Sequence, residues 1–353
     1  LFDGYGRMFA VQLGGAYPTA PSRSYQAAPF EQNTTAATTL ALPGGGRLNL
    51  IAAQPSPTPE PVAPRHDLYD APWMGDEPRQ EAMLDLETGR MNFSVWQGRG
   101  GAASPFDGAA GDGFAALAQA DRAVRGAMRF GALTVSAESG GGDRRMPLRH
   151  VEQDAATYSR ASIGWRGADG GLSFSVGALD ERLGPLGAFL PGGSDFALPS
   201  RTRFYALGGD WSLTPGLRLI GEAGLGSTRI EGRFLSMDRA AISSNWRLGL
   251  LADCSALCGR VSFTLAQPLR IESGTFSAYL ADVPIDYFDP LTYSRRSFSA
   301  APSGRQIDVI LGGERDLRDG SSVTLQAVAS RAPRHVADAA PEFALIGGWR
   351  RRF

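Results

Sequence analysis

From about residue 126 onward, apolar and polar positions alternate with a period of two. Tyr205, Leu207, Gly209, Trp211 and Leu213 share one face, and Ala206, Gly208, Asp210 and Ser212 share the other. Leu217, Leu219, Gly221, Ala223 and Leu225 likewise oppose Arg218, Ile220, Glu222 and Gly224, while Trp246, Leu248, Leu250 and Ala252 oppose Asn245, Arg247, Gly249 and Asp253. The design returns at 172–177, 260–265, 307–312 and 322–327. One apolar face at period two is the pattern of a β-strand. It predicts strands at about 126–139, 157–166, 171–180, 200–213, 216–229, 242–253, 258–270, 304–316, 320–332 and 341–353. Met91–Gln97 reads as a further strand. Residues 271–303 supply either two more, around 274–281 and 291–300, or one long surface hairpin. Phe114, Leu117, Asp121 and Val124 recur at helical spacing, which makes 113–127 a candidate helix in a lumen or at its rim; the alternative is a loop with a helical turn.

Alternation fits both a soluble sandwich, with its charges outside, and a membrane barrel, with its charges inside. Three features favour an all-β antiparallel transmembrane barrel. Predicted strands of about 10–14 residues exceed the usual ~5–6 of globular sheets and match the ~9–11 tilted residues that cross a bilayer. Tight turns at 167–171, 214–216, 254–258 and 318–320 alternate with long loops at 140–156, 181–199, 230–241 and 332–341, as in outer-membrane barrels. Aromatics near strand ends (Trp165, Tyr205, Trp211, Trp246 and Trp349) suit interfacial girdles. Glu138, Arg166, Asp210, Arg218, Glu222, Arg247, Asp253, Arg260, Asp308 and Glu314 would then line a lumen, since a closed apolar core could not absorb them unpaired.

Residues 14–80 carry a different texture. The run 54–64, QPSPTPEPVAP, excludes helix and paired strand, and 34–39 is small, polar and without an evident anchor. The expected division is an extended segment over 1–85 and a barrel over 86–353. The chain opens without an initiator Met, a basic n-region or an apolar h-region, so it reads as a mature product or fragment. A formal charge of −1 gives no electrostatic case for a nucleic-acid partner. All 35 basic residues are arginine, a skew that bears on genome composition more than on mechanism. Apolar runs fall short of the roughly 20 residues a spanning helix needs, so only a closed barrel would satisfy the backbone in lipid. Cys254 and Cys258 suggest a disulfide across a turn; a metal pair lacks a nearby His or third Cys.

Catalytic residues are not expected here. The three histidines are His66, His150 and His335. His150 has Asp143, Glu152 and Asp154 close in sequence, an arrangement open to catalysis at an outer rim, though solvated loop residues explain it equally well. No G-x-S-x-G elbow occurs, and 140–142 lacks the context of a phosphate-binding loop. No cofactor or metal is expected.

The final strand alternates Phe343, Leu345, Gly347, Trp349, Arg351 and Phe353, ending on an aromatic. It resembles the targeting strand read by the barrel-assembly machinery, with Arg351 a departure from the usual apolar residue. The opening LFDGYGRMFAVQL, the stretches QPLRIESG (267–274) and APSGRQIDVIL (301–311), and the terminal WRRRF resemble the C-terminal translocator of autotransporters whose passenger is a subtilisin-type serine protease. That resemblance implies about twelve strands, often a pore helix, a bacterial outer-membrane location among lipid and lipopolysaccharide, and export or anchoring of a passenger joined through 1–85. Any protease chemistry would then belong to the passenger. A channel, and an anchor for a separate surface protein, are the alternatives; the long N-terminal arm suits a translocator or anchor better than a simple pore.

Overall fold

A computed structural model describes residues 34–42, 46–54, 81–97, 113–118, 120–144, 154–182, 184–187, 198–230, 232, 235–254, 259–282, 292–317 and 321–351. The first strands are β1 (Thr34–Ala41), β2 (Arg47–Gln54), β3 (Glu81–Thr88) and β4 (Met91–Gln97). Next come β5 (Arg122–Phe130), β6 (Leu133–Arg144), β7 (Asp154–Arg166) and β8 (Gly170–Glu181). The longest follow: β9 (Ser200–Thr214), β10 (Leu217–Ile230), β11 (Leu235–Asp253) and β12 (Arg260–Ala281). The chain ends with β13 (Tyr293–Ser299), β14 (Ile307–Asp316), β15 (Ser321–Arg331) and β16 (Glu342–Arg351). All 16 belong to one antiparallel sheet in which strands pair with their sequence neighbours, except that β14 pairs with β12.

That exception is a broken strand. Thr275–Ala281 of β12 pairs with β13, and Arg260–Ala266 of the same strand pairs with β14. Residues 300–306 interrupt the partner strand, and the Arg270 guanidinium reaches into the gap to donate to the carbonyls of Gly304 (2.8 Å) and Pro302 (3.2 Å). Residues 271–303 therefore continue the β11–β12 wall as a raised hairpin and add no further pair of spanning strands.

Several expectations are corrected. Sixteen strands replace about twelve, partly because β1, β2 and most of β3 lie inside the segment expected to be extended. Residues 34–39, expected to be unanchored, pair with β2 along their length; most of the Pro-rich run lies outside the described residues. Of the two readings of 113–127, the loop with a helical turn is the one observed: a single 3-10 turn, Ala115–Ala118, followed by β5, with Val124 on the sheet's exposed apolar face. The strand expected at 126–139 is a β5–β6 hairpin turning at Gly131, whose φ of +62° is one that glycine adopts without Cβ strain. Phe130 and Leu133 pair across the turn on one face, so the alternation changes phase there, a break that a single strand over 126–139 overlooks. The loop expected at 230–241 shrinks because β11 starts at Leu235.

Tight turns between β1 and β2, β3 and β4, β5 and β6, β7 and β8, β9 and β10, β11 and β12, and β14 and β15 fall on one rim. The connections on the other rim are longer, apart from the short link between β10 and β11. Thr34, where β1 begins, stands at the long-loop rim, level with Gln54.

Candidate functional site

The sheet is inverted relative to a soluble protein. Val135, Ile163, Phe174, Leu207, Ala223 and Trp246 form one continuous outward row across β6–β11. Leu207 is 46% exposed, and Leu172, Leu225, Leu248, Leu311 and Leu325 are exposed with it. On the opposite face Glu138, Arg160, Thr202, Glu222, Thr228, Asn245 and Asp308 are buried. Water would reverse this partition; hydrocarbon outside and a polar interior produce it. Along β9 the outward apolar positions run from Tyr205 to Leu213, roughly 27 Å of strand at ~3.4 Å per residue. Tilted by about 40–45°, that gives a belt of about 20 Å, near the ~25 Å expected of a lipid-facing band. Exposed Asp180, Arg201, Arg203 and Arg229 end the belt on the long-loop side. No helix among the described residues is long and apolar enough to span a membrane, so strands would carry the crossing.

The aromatics divide by height. Trp165 and Trp211 stack at 6.3 Å beside the tight turns, and Trp349 is exposed near the same rim. Tyr205 packs against Phe174 in the upper belt. Trp246 departs from the girdle expectation: it lies at mid-height, opposite Ala223, and its indole N–H donates to Gln267 (3.1 Å).

The ten residues expected to line a lumen all fall on the inner face. Glu222 accepts from Arg247 at 2.9 Å. Asp210 pairs with Arg166 at 3.0 Å, the guanidinium passing over Gly171, where a Cβ would crowd it. Arg260 bridges Asp253 (3.4 Å) and Glu314 (3.5 Å). Asp308 accepts from the Gln306 amide at 2.9 and 3.1 Å. Arg218, near the tight turns, stays exposed. The most enclosed pair joins Glu138 to a residue the sequence reading passed over: Glu138 accepts from Arg160 at 2.7 Å, and Tyr158 donates its hydroxyl to the same carboxylate.

Above these charges the inner face turns apolar. Phe114, fully buried, stacks on Phe204 with ring centroids 5.4 Å apart and planes 6° off parallel. Glycines make the room: a Cβ on Gly226 would lie 2.4 Å from the Phe114 ring, one on Gly224 3.0 Å from it, and one on Gly177 2.3 Å from the Phe204 ring. Ala115, Leu117 and Ala118 extend this packing to Trp96, Leu179, Leu186, Leu198 and Ile230 near the long-loop rim. Beneath the turn, Ser243 Oγ and Asn245 Oδ1 are buried without a hydrogen-bond partner among the described residues. Three glycines on one face of β8 and β10, the strands flanking β9, were the available sequence signal; nothing in the alternation said which ring they receive.

On the long-loop side, buried His335 has both ring nitrogens engaged. Nδ1 accepts from the Gln306 N–H (2.9 Å), and Nε2 lies 3.0 Å from the Leu269 carbonyl. Burial lowers its pKa below the ordinary 6.5, against the opposing pull of the Leu269 carbonyl. His66 and His150 lie outside the described residues, as does Glu152. Among the described residues no three His, Cys, Asp or Glu side chains gather as metal ligands would.

Phe343, Leu345 and Trp349 point outward from β16, at 79%, 72% and 63% exposure. Phe353 and the Arg351 side chain lie outside the described residues. The Cys254 N–H closes its turn on the Gly259 carbonyl (2.7 Å), and Cys258 lies outside the described residues.

No protein-family model matches the chain, and no curated protein matches it in sequence. Among solved structures, a triple-mutant porin of Rhodopseudomonas blastica aligns over 89% of this chain and 87% of its own, at 9% identity and a TM-score of 0.37. At that score the likeness settles neither fold nor function, which rest on the register and the two faces described above.

Proposed function

We infer that this chain is an outer-membrane β-barrel that holds an N-terminal passenger at the cell surface, with its lumen shut on the long-loop side by residues 113–118. The observation that carries the reading is the Phe114–Phe204 stack over Gly177, Gly224 and Gly226, which occupies the inner face with an apolar plug. The direction of β1 supports it. Long loops face outward in barrels of this class, so a chain preceding Thr34 would be delivered to the external side. The unpartnered Ser243 and Asn245 atoms suit a plug that can leave, since either could recover hydrogen bonds to water once Phe114 withdraws. A subtilisin-type passenger and an assembly role for Phe343, Leu345, Trp349 and Phe353 complete the reading on the strength of the sequence resemblance, and a Cys254–Cys258 bridge on the spacing of the two cysteines across a turn in an oxidising compartment. Chemistry then resides in the passenger, and the barrel serves as conduit and anchor.

A gated solute channel is the second reading, favoured by the exposed Arg218 and Ser173 on the inner face near the tight turns. Two measurements separate these readings. An epitope inserted just before Thr34 is expected to be labelled by antibody on intact cells; labelling only after permeabilisation would overturn the passenger reading. Wild-type protein in planar bilayers is expected to conduct rarely, and Phe114→Ala to open frequently. Steady wild-type conductance of a small solute would favour the channel.

A further inference from the structure

On the outer face, immediately above the apolar belt, three arginines converge where soluble-protein logic would separate them. Arg201 of β9 stands directly opposite Arg229 of β10, and Arg203 follows two residues along β9 on the same face. Directly opposed side chains in an antiparallel pair have Cβ atoms about 4.5–5.5 Å apart, and like charges there repel. Alternate residues on one strand are about 6.8 Å apart. Asp180 of β8 offsets part of this charge through a 3.4 Å contact with Arg201, whereas among the described residues Arg203 and Arg229 have no ion-pair partner. All four side chains are exposed. Below them the same face presents Val176, Tyr205 and Leu225 as adjacent cross-strand neighbours, all exposed.

We propose that Arg201, Arg203 and Arg229 bind a phosphate group of lipid A in the outer leaflet, with the lipid's acyl chains lying on Val176, Tyr205 and Leu225. The proposal rests on the membrane reading above and adds to it a specific lipid site. Guanidinium forks pair with phosphate oxygens through charge-assisted hydrogen bonds, which relieve the Arg201–Arg229 repulsion. The cluster stands on the long-loop side, where phosphorylated lipid A would be met. Its height matters: one step lower on β9 the outward residue is Tyr205, so cation and acyl surface are contiguous. A free phosphate would gain the charge contacts alone.

The test uses the full chain folded in detergent micelles, with native mass spectrometry reading bound lipid. The probes are bisphosphorylated lipid A, dephosphorylated lipid A, phosphatidylglycerol and inorganic phosphate. Bound bisphosphorylated lipid A is expected on the wild type, reduced by about tenfold or more in the triple variant R201Q/R203Q/R229Q and unchanged in R315Q, at the opposite rim. Dephosphorylated lipid A should bind at the triple-variant level. Equal retention by wild type and triple variant overturns the proposal, as does indifference to dephosphorylation. Phosphatidylglycerol binding as well as lipid A, or inorganic phosphate binding at micromolar concentration, also overturns the lipid A assignment. Heat-modifiable gel mobility of each sample confirms folding. A chain that never folds in micelles would instead refute the membrane reading on which the site depends.

Discussion

Replacing Arg160 with methionine removes a guanidinium that donates to Glu138 through Nε (3.3 Å) and Nη2 (2.7 Å), leaving the carboxylate with only the Tyr158 hydroxyl. Both side chains are nearly sealed from solvent, at 4% and 2% exposure, so water cannot take over the lost contacts without opening the wall. Breaking such a pair from one side costs about 3–5 kcal/mol, because a charge stays buried without compensation. Glu138→Gln alone should cost less: the amide retains Tyr158, and Arg160 has further contacts besides Glu138. Adding Glu138→Gln to Arg160→Met removes the stranded charge and should bring stability to within about 1–2 kcal/mol of wild type. The pair should therefore show a coupling of at least about 2 kcal/mol in a double-mutant cycle. Urea unfolding from lipid vesicles, followed by tryptophan fluorescence, measures each corner of the cycle. A single-variant loss below about 1 kcal/mol, or additive losses, would show that this part of the inner face is wet and refute the reasoning.

The two faces should respond oppositely to arginine. Leu207→Arg, at mid-belt on the outer face, should destabilise the protein in vesicles by about 2–4 kcal/mol, while Ser173→Arg, on the inner face and exposed, should stay within about 0.5 kcal/mol. His335 gives the 302–306 and 332–335 segments a pH dependence. Its folded pKa lies below its unfolded value, so its stabilising contribution is complete above the ordinary 6.5 and is lost as pH falls through the folded pKa. Hydrogen exchange at the Gln306 N–H, which His335 Nδ1 accepts, should accelerate on acidification, and the His335→Phe variant should lose that dependence. Exchange independent of pH in the wild type, after correction for the intrinsic rate, would contradict it.

The wall was legible because period-two alternation states a face at every residue: Leu207, Leu225 and Leu325 could only share a side with Trp211, Ala223 and Val323 within their own strands. Glu222, Arg247 and Asp308 fell inside by the same parity. Partners were not legible, since parity fixes a face and leaves register open; the Glu138–Arg160 contact depends on which residue of β7 stands opposite β6. Strand number failed for a related reason. β1 is short and almost entirely Ala and Thr, and β2 is equally short and ends in Ile-Ala-Ala-Gln, so alternation is weak in both and tertiary pairing decides them. Spacing could not choose between a helix and a helical turn at 113–127, because Phe114 and Leu117 satisfy helical spacing while belonging to a buried turn, and Val124 belongs to the lipid-facing row of β5.

Collision accessibility of spin labels along β9 tests the central claim, an apolar face in lipid and a polar face away from it, most directly. Labels placed singly from Ala206 to Leu213, in a background lacking Cys254 and Cys258 and reconstituted in vesicles, would be read with oxygen and with a polar nickel chelate. The account predicts that 207, 209, 211 and 213 favour oxygen while 206, 208, 210 and 212 do not, with period two throughout. Uniform accessibility along the strand, or an apolar face that meets the nickel chelate, would contradict it.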